Sequence, residues 1–218
     1  MALPRITVLI SGRGSNLGAL LAAEREGRLG GTVTTVVSNR PGAAGLELAQ
    51  RHGAATAVVD HRQFATRDAF DAALEAAVDA ARPDLVVLAG FMRILGAGFV
   101  GRHAGRMLNV HPSLLPAYPG LHTHRRALID GVRVHGCTVH FVTADLDYGP
   151  IVAQAAVAVH ADDDEDALAT RVLAVEHRLL PAAVRAFCEG RLAINGGQVR
   201  VKGETVPDAA LVVPGFEA

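Results

Sequence analysis

Short apolar, β-branched runs alternate through the first half of this chain with Ala-rich stretches of helical spacing, and that alternation restricts the fold more than any other feature. Residues 6–10 read as a strand and 15–25 as a helix, then 32–38 as a strand and 43–52 as a helix. A short strand is expected near 57–59, followed by a helix over 67–81 that Arg82-Pro83 stops. Residues 85–89 are wholly apolar, the pattern of a strand covered on both faces of a parallel sheet. A short helix near 98–103 and a strand over 106–110 continue the order. Strand–helix repetition of this kind predicts an α/β fold with a doubly wound, mostly parallel, Rossmann-like sheet.

The pattern changes after His111. Residues 112–120 hold three prolines and a glycine and read as a loop, and the segment 113–131 is long enough to act as a mobile lid. Two strand-like runs follow, 134–142 and 151–159. The connection 143–150 is too short for a helical crossover, so this pair is expected to be antiparallel and to extend the sheet at its C-terminal side. An acidic stretch, 162–166, opens a long helix running to about 189, its charge suited to the helix dipole. The tail, 191–218, is punctuated by Gly and Pro and has room for two short strands. Neither an internal repeat nor a dividing linker appears, so one domain spanning 1–218 is expected.

Charge and composition exclude several function classes. With 21 Lys and Arg against 22 Asp and Glu there is no basic footprint, and with 4% aromatics and no Trp there is no base-stacking platform, so no nucleic-acid partner is expected. Apolar runs break well short of a bilayer span, so no membrane association is expected. Cys137 and Cys188 lie far apart, without metal or redox spacing. The N-terminus leads straight into a strand-like run without a signal peptide, and a cytoplasmic location is the expectation.

The loop Ser11-Gly12-Arg13-Gly14-Ser15-Asn16 joins the first strand to the first helix. A helix start offers unpaired backbone N–H groups and the positive end of the dipole, and glycine lets an anion approach closely, so the loop reads as a phosphate site. The dinucleotide fingerprint is incomplete, because Leu17 stands where its third glycine belongs and the second strand ends Ser38-Asn39-Arg40 without an acidic residue. A single phosphate fits better. Two alternatives stay open: a tight turn that binds nothing, and an NADP reductase in which Arg40 meets the extra phosphate.

Asn109-Val110-His111 closes the strand before the loop. Alternation puts Asn109 and His111 on one face, at the carboxyl end of a parallel strand, where open α/β sheets bind ligands. An amide donor and an imidazole there are suited to holding an oxyanion and managing a proton. The competing reading is a hydrogen-bonded strand end. Asp145 and Asp147 fall in the turn between the next two strands. A carboxylate beside His111 would favour its charged form, whereas ordinary turn chemistry accounts for at least one of the two.

Together these motifs resemble the folate-dependent glycinamide ribonucleotide formyltransferases. The likeness covers roughly 6–191 and rests on four segments: Ile10-Ser11-Gly12-x-Gly14-Ser15-Asn16; Ala89-Gly90-Phe91-Met92-Arg93-Ile94-Leu95; Asn109-Val110-His111-Pro112-Ser113-Leu114-Leu115-Pro116; and Val139-His140-Phe141-Val142 with Asp147 after it. The third is specific to folate enzymes that transfer formyl groups. Pairing it with the first and with Tyr118-Pro119-Gly120-Leu121-His122-Thr123-His124 points to the glycinamide ribonucleotide family.

The resemblance implies a nucleotide-binding half over about 1–111 and a folate-side half over about 112–218. It implies that Gly14, Ser15, Asn16, Leu17 and Gly18 hold the ribonucleotide phosphate and that Glu176 binds the ribose. Arg67 and the backbone of Met92, Arg93, Ile94 and Leu95, with Asn109, would bind the folate. Asn109, His111 and Asp147 would form the catalytic trio. The co-substrate would be 10-formyltetrahydrofolate, with no metal required, although His122-x-His124 has metal-like spacing. Partners would be small molecules only, and the protein a monomer or weak homodimer. The chain departs from the family where Tyr148 replaces the small residue that usually follows the catalytic Asp. Methionyl-tRNA formyltransferases, which add a basic tRNA-binding domain, and formyltetrahydrofolate hydrolases, which add an N-terminal domain, share the core but fit this chain less well.

Overall fold

The computed structural model describes residues 2–205 and 211–214. Its order is β1 (Arg5–Ile10), α1 (Ser15–Arg25), β2 (Thr32–Ser38), α2 (Gly45–His52), β3 (Ala55–Val58), α3 (Arg67–Ala81), β4 (Leu85–Leu88), α4 (Ala97–Arg102), β5 (Met107–His111), α5 (Thr123–Ile129), β6 (Val134–Phe141), β7 (Ile151–Ala158), α6 (Glu165–Cys188), β8 (Leu192–Asn195) and β9 (Gln198–Val201). Seven strands form one sheet in the order β3-β2-β1-β4-β5-β6-β7. The first five are parallel, and β6 and β7 add in antiparallel fashion. The separate β8–β9 hairpin is antiparallel.

Local chemistry sets the helix boundaries. The Thr66 hydroxyl accepts from the Ala69 N–H at 3.2 Å and starts α3, which ends at Arg82 in a left-handed conformation before Pro83. Asp164 caps α6, its Oδ1 accepting from the Ala167 N–H at 2.8 Å. The central strands β1 and β4 are buried nearly end to end, as the unbroken apolar run at 85–88 implies, whereas the edge strand β3 is not. Two apolar cores result: α1, α2 and α6 pack on one face of the sheet, and α3 and α4 on the other.

One expectation fails. The stretch 113–131 is not a loop throughout: α5 occupies its second half, packed against α6, and carries His124. Its first half is also fastened. The Thr138 hydroxyl donates to the Ser113 carbonyl at 2.7 Å and accepts from the Leu115 N–H at 3.0 Å, and Gln154 Nε2 donates to the Leu115 carbonyl at 2.8 Å. Three prolines and a polar His-Thr-His start hid a helix too short to give a periodic signal.

The order of strands reverses between β1 and β4, so their connections leave on opposite sides and open a crevice at the carboxyl edge. The β1–α1 loop, the segment after β4 and the end of β5 all face that edge.

Candidate active site

At the edge of β5, the His111 side chain is 7% exposed, with Nδ1 3.5 Å from Asp147 Oδ1. Its Nε2 lies 3.0 Å from the Tyr118 carbonyl oxygen, which can only accept, so this nitrogen carries the hydrogen. Asp147 is itself in a left-handed conformation, φ 54°, and its Oδ2 accepts from the Gly120 N–H at 2.8 Å. The two ends of the 113–120 loop and the 143–150 turn therefore meet on one carboxylate. Asp145 stays exposed in the turn.

Asn109 shares the face of His111, and its Nδ2 lies 3.2 Å from His140 Nε2. His140 is almost wholly buried, and that burial lowers its pKa, so it is neutral. Its Nδ1 sits 2.9 Å from the Phe141 carbonyl and must carry the hydrogen there. Nε2 is then a bare acceptor that fixes the Asn109 amide with nitrogen toward it. One amide hydrogen is used and the other remains free for a ligand. The sequence reading gave His140 no role, although antiparallel register pairs it directly with Asn109 and so places both on one face.

The β1–α1 glycine loop is built as a helix start. Gly14 caps α1 at φ 76°, and a Cβ there would come within 2.7 Å of Gly45 Cα, so the position requires glycine. The Gly18 N–H donates to Gly14 O at 2.8 Å, leaving the N–H groups of residues 15–17 without intrahelical partners. Ser15 is exposed, whereas the Leu17 side chain belongs to the core and offers only backbone. Asn16 turns inward, its Nδ2 donating to Glu176 Oε2 at 2.7 Å. Burial raises the Glu176 pKa, partly offset by that hydrogen bond. The two residues are thus brought together from α1 and α6.

On the segment after β4, the side chains of Met92, Arg93 and Ile94 are exposed and Leu95 is buried. The Met92 N–H donates to Ser11 Oγ at 2.7 Å, and Ser11 donates to Asn39 Oδ1 at 2.6 Å. Ser11 thereby ties this segment to the glycine loop. The Gly96 N–H donates to Asp71 Oδ2 at 2.8 Å, and Arg67 Nε lies 3.8 Å from the same oxygen, so Arg67 stands at the end of this segment. Among the described residues no group of three His, Cys, Asp or Glu side chains is arranged to hold a metal ion. No helix among them is long and apolar enough to cross a membrane.

His124 is half-buried and pairs instead with the buried His135, its Nδ1 3.2 Å from His135 Nε2. Burial, with help from the His124 charge, pushes the His135 pKa down to about 4, and burial also lowers that of His124. Both are neutral when folded, while an unfolded histidine takes its proton near 6.5. Between those values the unfolded chain binds more protons, so stability is full above about pH 7 and drains as pH falls toward 4. For His135 the loss is of the order of 3 kcal/mol. Denaturation midpoints at pH 7.5 and 5 should therefore separate widely in the native chain and less in His135→Gln; identical separations would rule out this origin.

Residues 4–184 match the formyl transferase family. A phosphoribosylglycinamide formyltransferase of Escherichia coli (strain K12) is 48% identical over 202 residues, covering 93% of this chain and 95% of that protein. The trifunctional purine biosynthetic protein adenosine-3 of Drosophila melanogaster is 48% identical over 193 residues, 88% of this chain but 14% of that much longer protein. The crystal structure of glycinamide ribonucleotide transformylase 1 from Symbiobacterium toebii superposes with a TM-score of 0.90 at 51% identity, covering 92% of this chain and 94% of that one.

Proposed function

The chain belongs to the formyl transferase family, and from that premise we infer that it transfers the formyl group of 10-formyltetrahydrofolate to the amine of glycinamide ribonucleotide in purine biosynthesis. The products are formylglycinamide ribonucleotide and tetrahydrofolate. The observation that carries the reading is the Asp147 carboxylate beside His111, with Asn109 on the same strand face.

The amine nitrogen attacks the formyl carbon, the carbonyl oxygen becomes an oxyanion, and collapse breaks the bond to N10 as the amine's proton passes to N10. Asn109 offers its free amide hydrogen to the oxyanion while His140 keeps the amide oriented. Asp147 Oδ1, 3.5 Å from Nδ1, orients the His111 imidazole, whose Nε2–H donates to the same oxygen. To do so from Nε2, His111 exchanges the Tyr118 carbonyl for the oxyanion. The N–H groups of residues 15–17, without intrahelical partners, receive the ribonucleotide phosphate, with Glu176 toward the ribose. The backbone of residues 92–95, with Arg67, receives the folate. None of these steps calls for a metal.

We read the chain as one domain, with its nucleotide half over about 1–111 and its folate half over about 112–218. It acts as a cytoplasmic enzyme on small molecules, monomeric or weakly dimeric, without a nucleic-acid partner. The near balance of charges supports the last point.

The direct test incubates the purified chain with 10-formyltetrahydrofolate and glycinamide ribonucleotide and follows both products. Formylated amine in step with tetrahydrofolate is expected; formate release without amine formylation would mark a hydrolase instead. Asn16→Ala should weaken ribonucleotide binding about tenfold and leave folate-analogue binding nearly unchanged. Equal weakening of both would remove the phosphate from this loop.

A further inference from the structure

The formyl-transfer reading leaves one feature of the carboxyl edge unused. Beyond the glycine loop, on the side away from His111, the ends of β1, β2 and β3 surround an open cleft of about 520 Å³. Arg13 lines it from the β1–α1 loop, Arg40 from the β2–α2 loop, and His61 and Arg62 from the segment after β3. Gly14 to Gly18, the residues assigned to the ribonucleotide phosphate, do not line it.

Its charge is unbalanced. Arg62 is committed to Asp60, donating from Nε at 3.0 Å and from Nη2 at 2.8 Å, and it holds the Asp60 pKa at about 2. Arg13 and Arg40 have no carboxylate within ion-pair distance among the described residues. Two guanidiniums on separate loops thus face one cleft without a counter-charge. The wall below them is polar and ordered: the Ser11 hydroxyl binds Asn39, and the Asn39 carbonyl lies 2.9 Å from His61 Nδ1. Gly12 and Gly42 also line the cleft, where an added Cβ would meet nothing within 4 Å and φ is not positive. Neither packing nor backbone strain demands glycine at these positions. What glycine supplies there is uncovered backbone beside the two arginines.

We propose that this cleft is a second anion site that takes a di- or triphosphate group, carried by a nucleotide or free. The planar guanidinium fork matches phosphate oxygens in pairs, and two forks on opposite loops suit linked phosphates better than one. The carboxyl ends of doubly wound strands are where such groups bind.

Calorimetric titration of the full chain tests this with three probes at constant ionic strength: ATP, inorganic tripolyphosphate, and an oligoglutamate of like charge. ATP and tripolyphosphate should bind, and the R13A/R40A double variant should weaken both by about tenfold or more. Tighter binding of ATP than of tripolyphosphate would identify a nucleotide as the source; equal affinities would identify the phosphate chain alone. Saturation with glycinamide ribonucleotide should leave the binding in place, and formyl-transfer KM should stay within about twofold in the double variant. Unchanged affinity in R13A/R40A overturns the proposal. So does equally tight binding of the oligoglutamate, or displacement by glycinamide ribonucleotide, which would move the anion to the Gly14–Gly18 loop. That last result would leave the formyltransferase reading intact.

Discussion

Replacing His111 by Ala or Asp147 by Asn lowers turnover by about a hundred- to ten-thousand-fold, and the double variant loses little more than either alone. The expectation follows from a carboxylate 3.5 Å from the imidazole, both nearly closed off from solvent. A carboxylate and an imidazole in that setting act as one unit, because without the carboxylate the imidazole loses the partner that orients it. Ligand affinities change far less, since neither group is needed to hold the phosphate loop or the folate segment in place. Steady-state kinetics on the four proteins, with binding measured in parallel, decides the matter. Rate losses that simply multiply would reduce Asp147 to a turn residue.

Gly149→Ala should be the most damaging small substitution in the chain. A Cβ at this position would overlap the Phe141 carbonyl oxygen and crowd Thr143 Cγ2 at 3.2 Å. Neither neighbour can retreat cheaply: the carbonyl is fixed backbone at the end of β6, and the Phe141 N–H is already bound to the Pro150 carbonyl at 2.9 Å. The 143–150 turn must move instead. Overpacking of this kind costs about 3 kcal/mol or more when backbone is involved, and Asp147, two residues away, moves with the turn. Thermal unfolding should show a clear drop in midpoint, and the surviving folded protein should turn over slowly. A variant with native stability and native turnover would mean that the turn has slack this packing does not reveal.

Where periodicity was strong, the sequence carried the fold to the residue: the helices at 15–25 and 67–81 and the strand at 32–38 begin and end where glycine, threonine or proline punctuates them. The helix at 123–129 was missed because seven residues are too few for a periodic signal, although Arg125 to Leu128 are good helix formers, and it packs against α6. In the site, alternation was enough to put Asn109 and His111 on one face. Turn chemistry alone could not choose between Asp145 and Asp147, and only the family resemblance singled out Asp147; the physical basis is a left-handed backbone at 147 and the Gly120 N–H that meets it. The roles of Tyr118 and Ser11 were hidden for another reason. Tyr118 acts through its carbonyl, a group every residue has, and Ser11 acts through a bond to the main chain 81 positions away.

The Tyr118 carbonyl on His111 has a consequence for reactivity. Opening that bond takes about 0.5–1.5 kcal/mol, so a fully competent site is a minority state until something replaces the carbonyl. Any ligand that needs the His111 N–H is discounted by that fraction, and one that brings its own oxyanion recovers it. Under the formyl-transfer reading the contact is a threshold that any attack on the formyl carbon must cross, and it holds the free enzyme in a less reactive state without any change in the catalytic groups themselves.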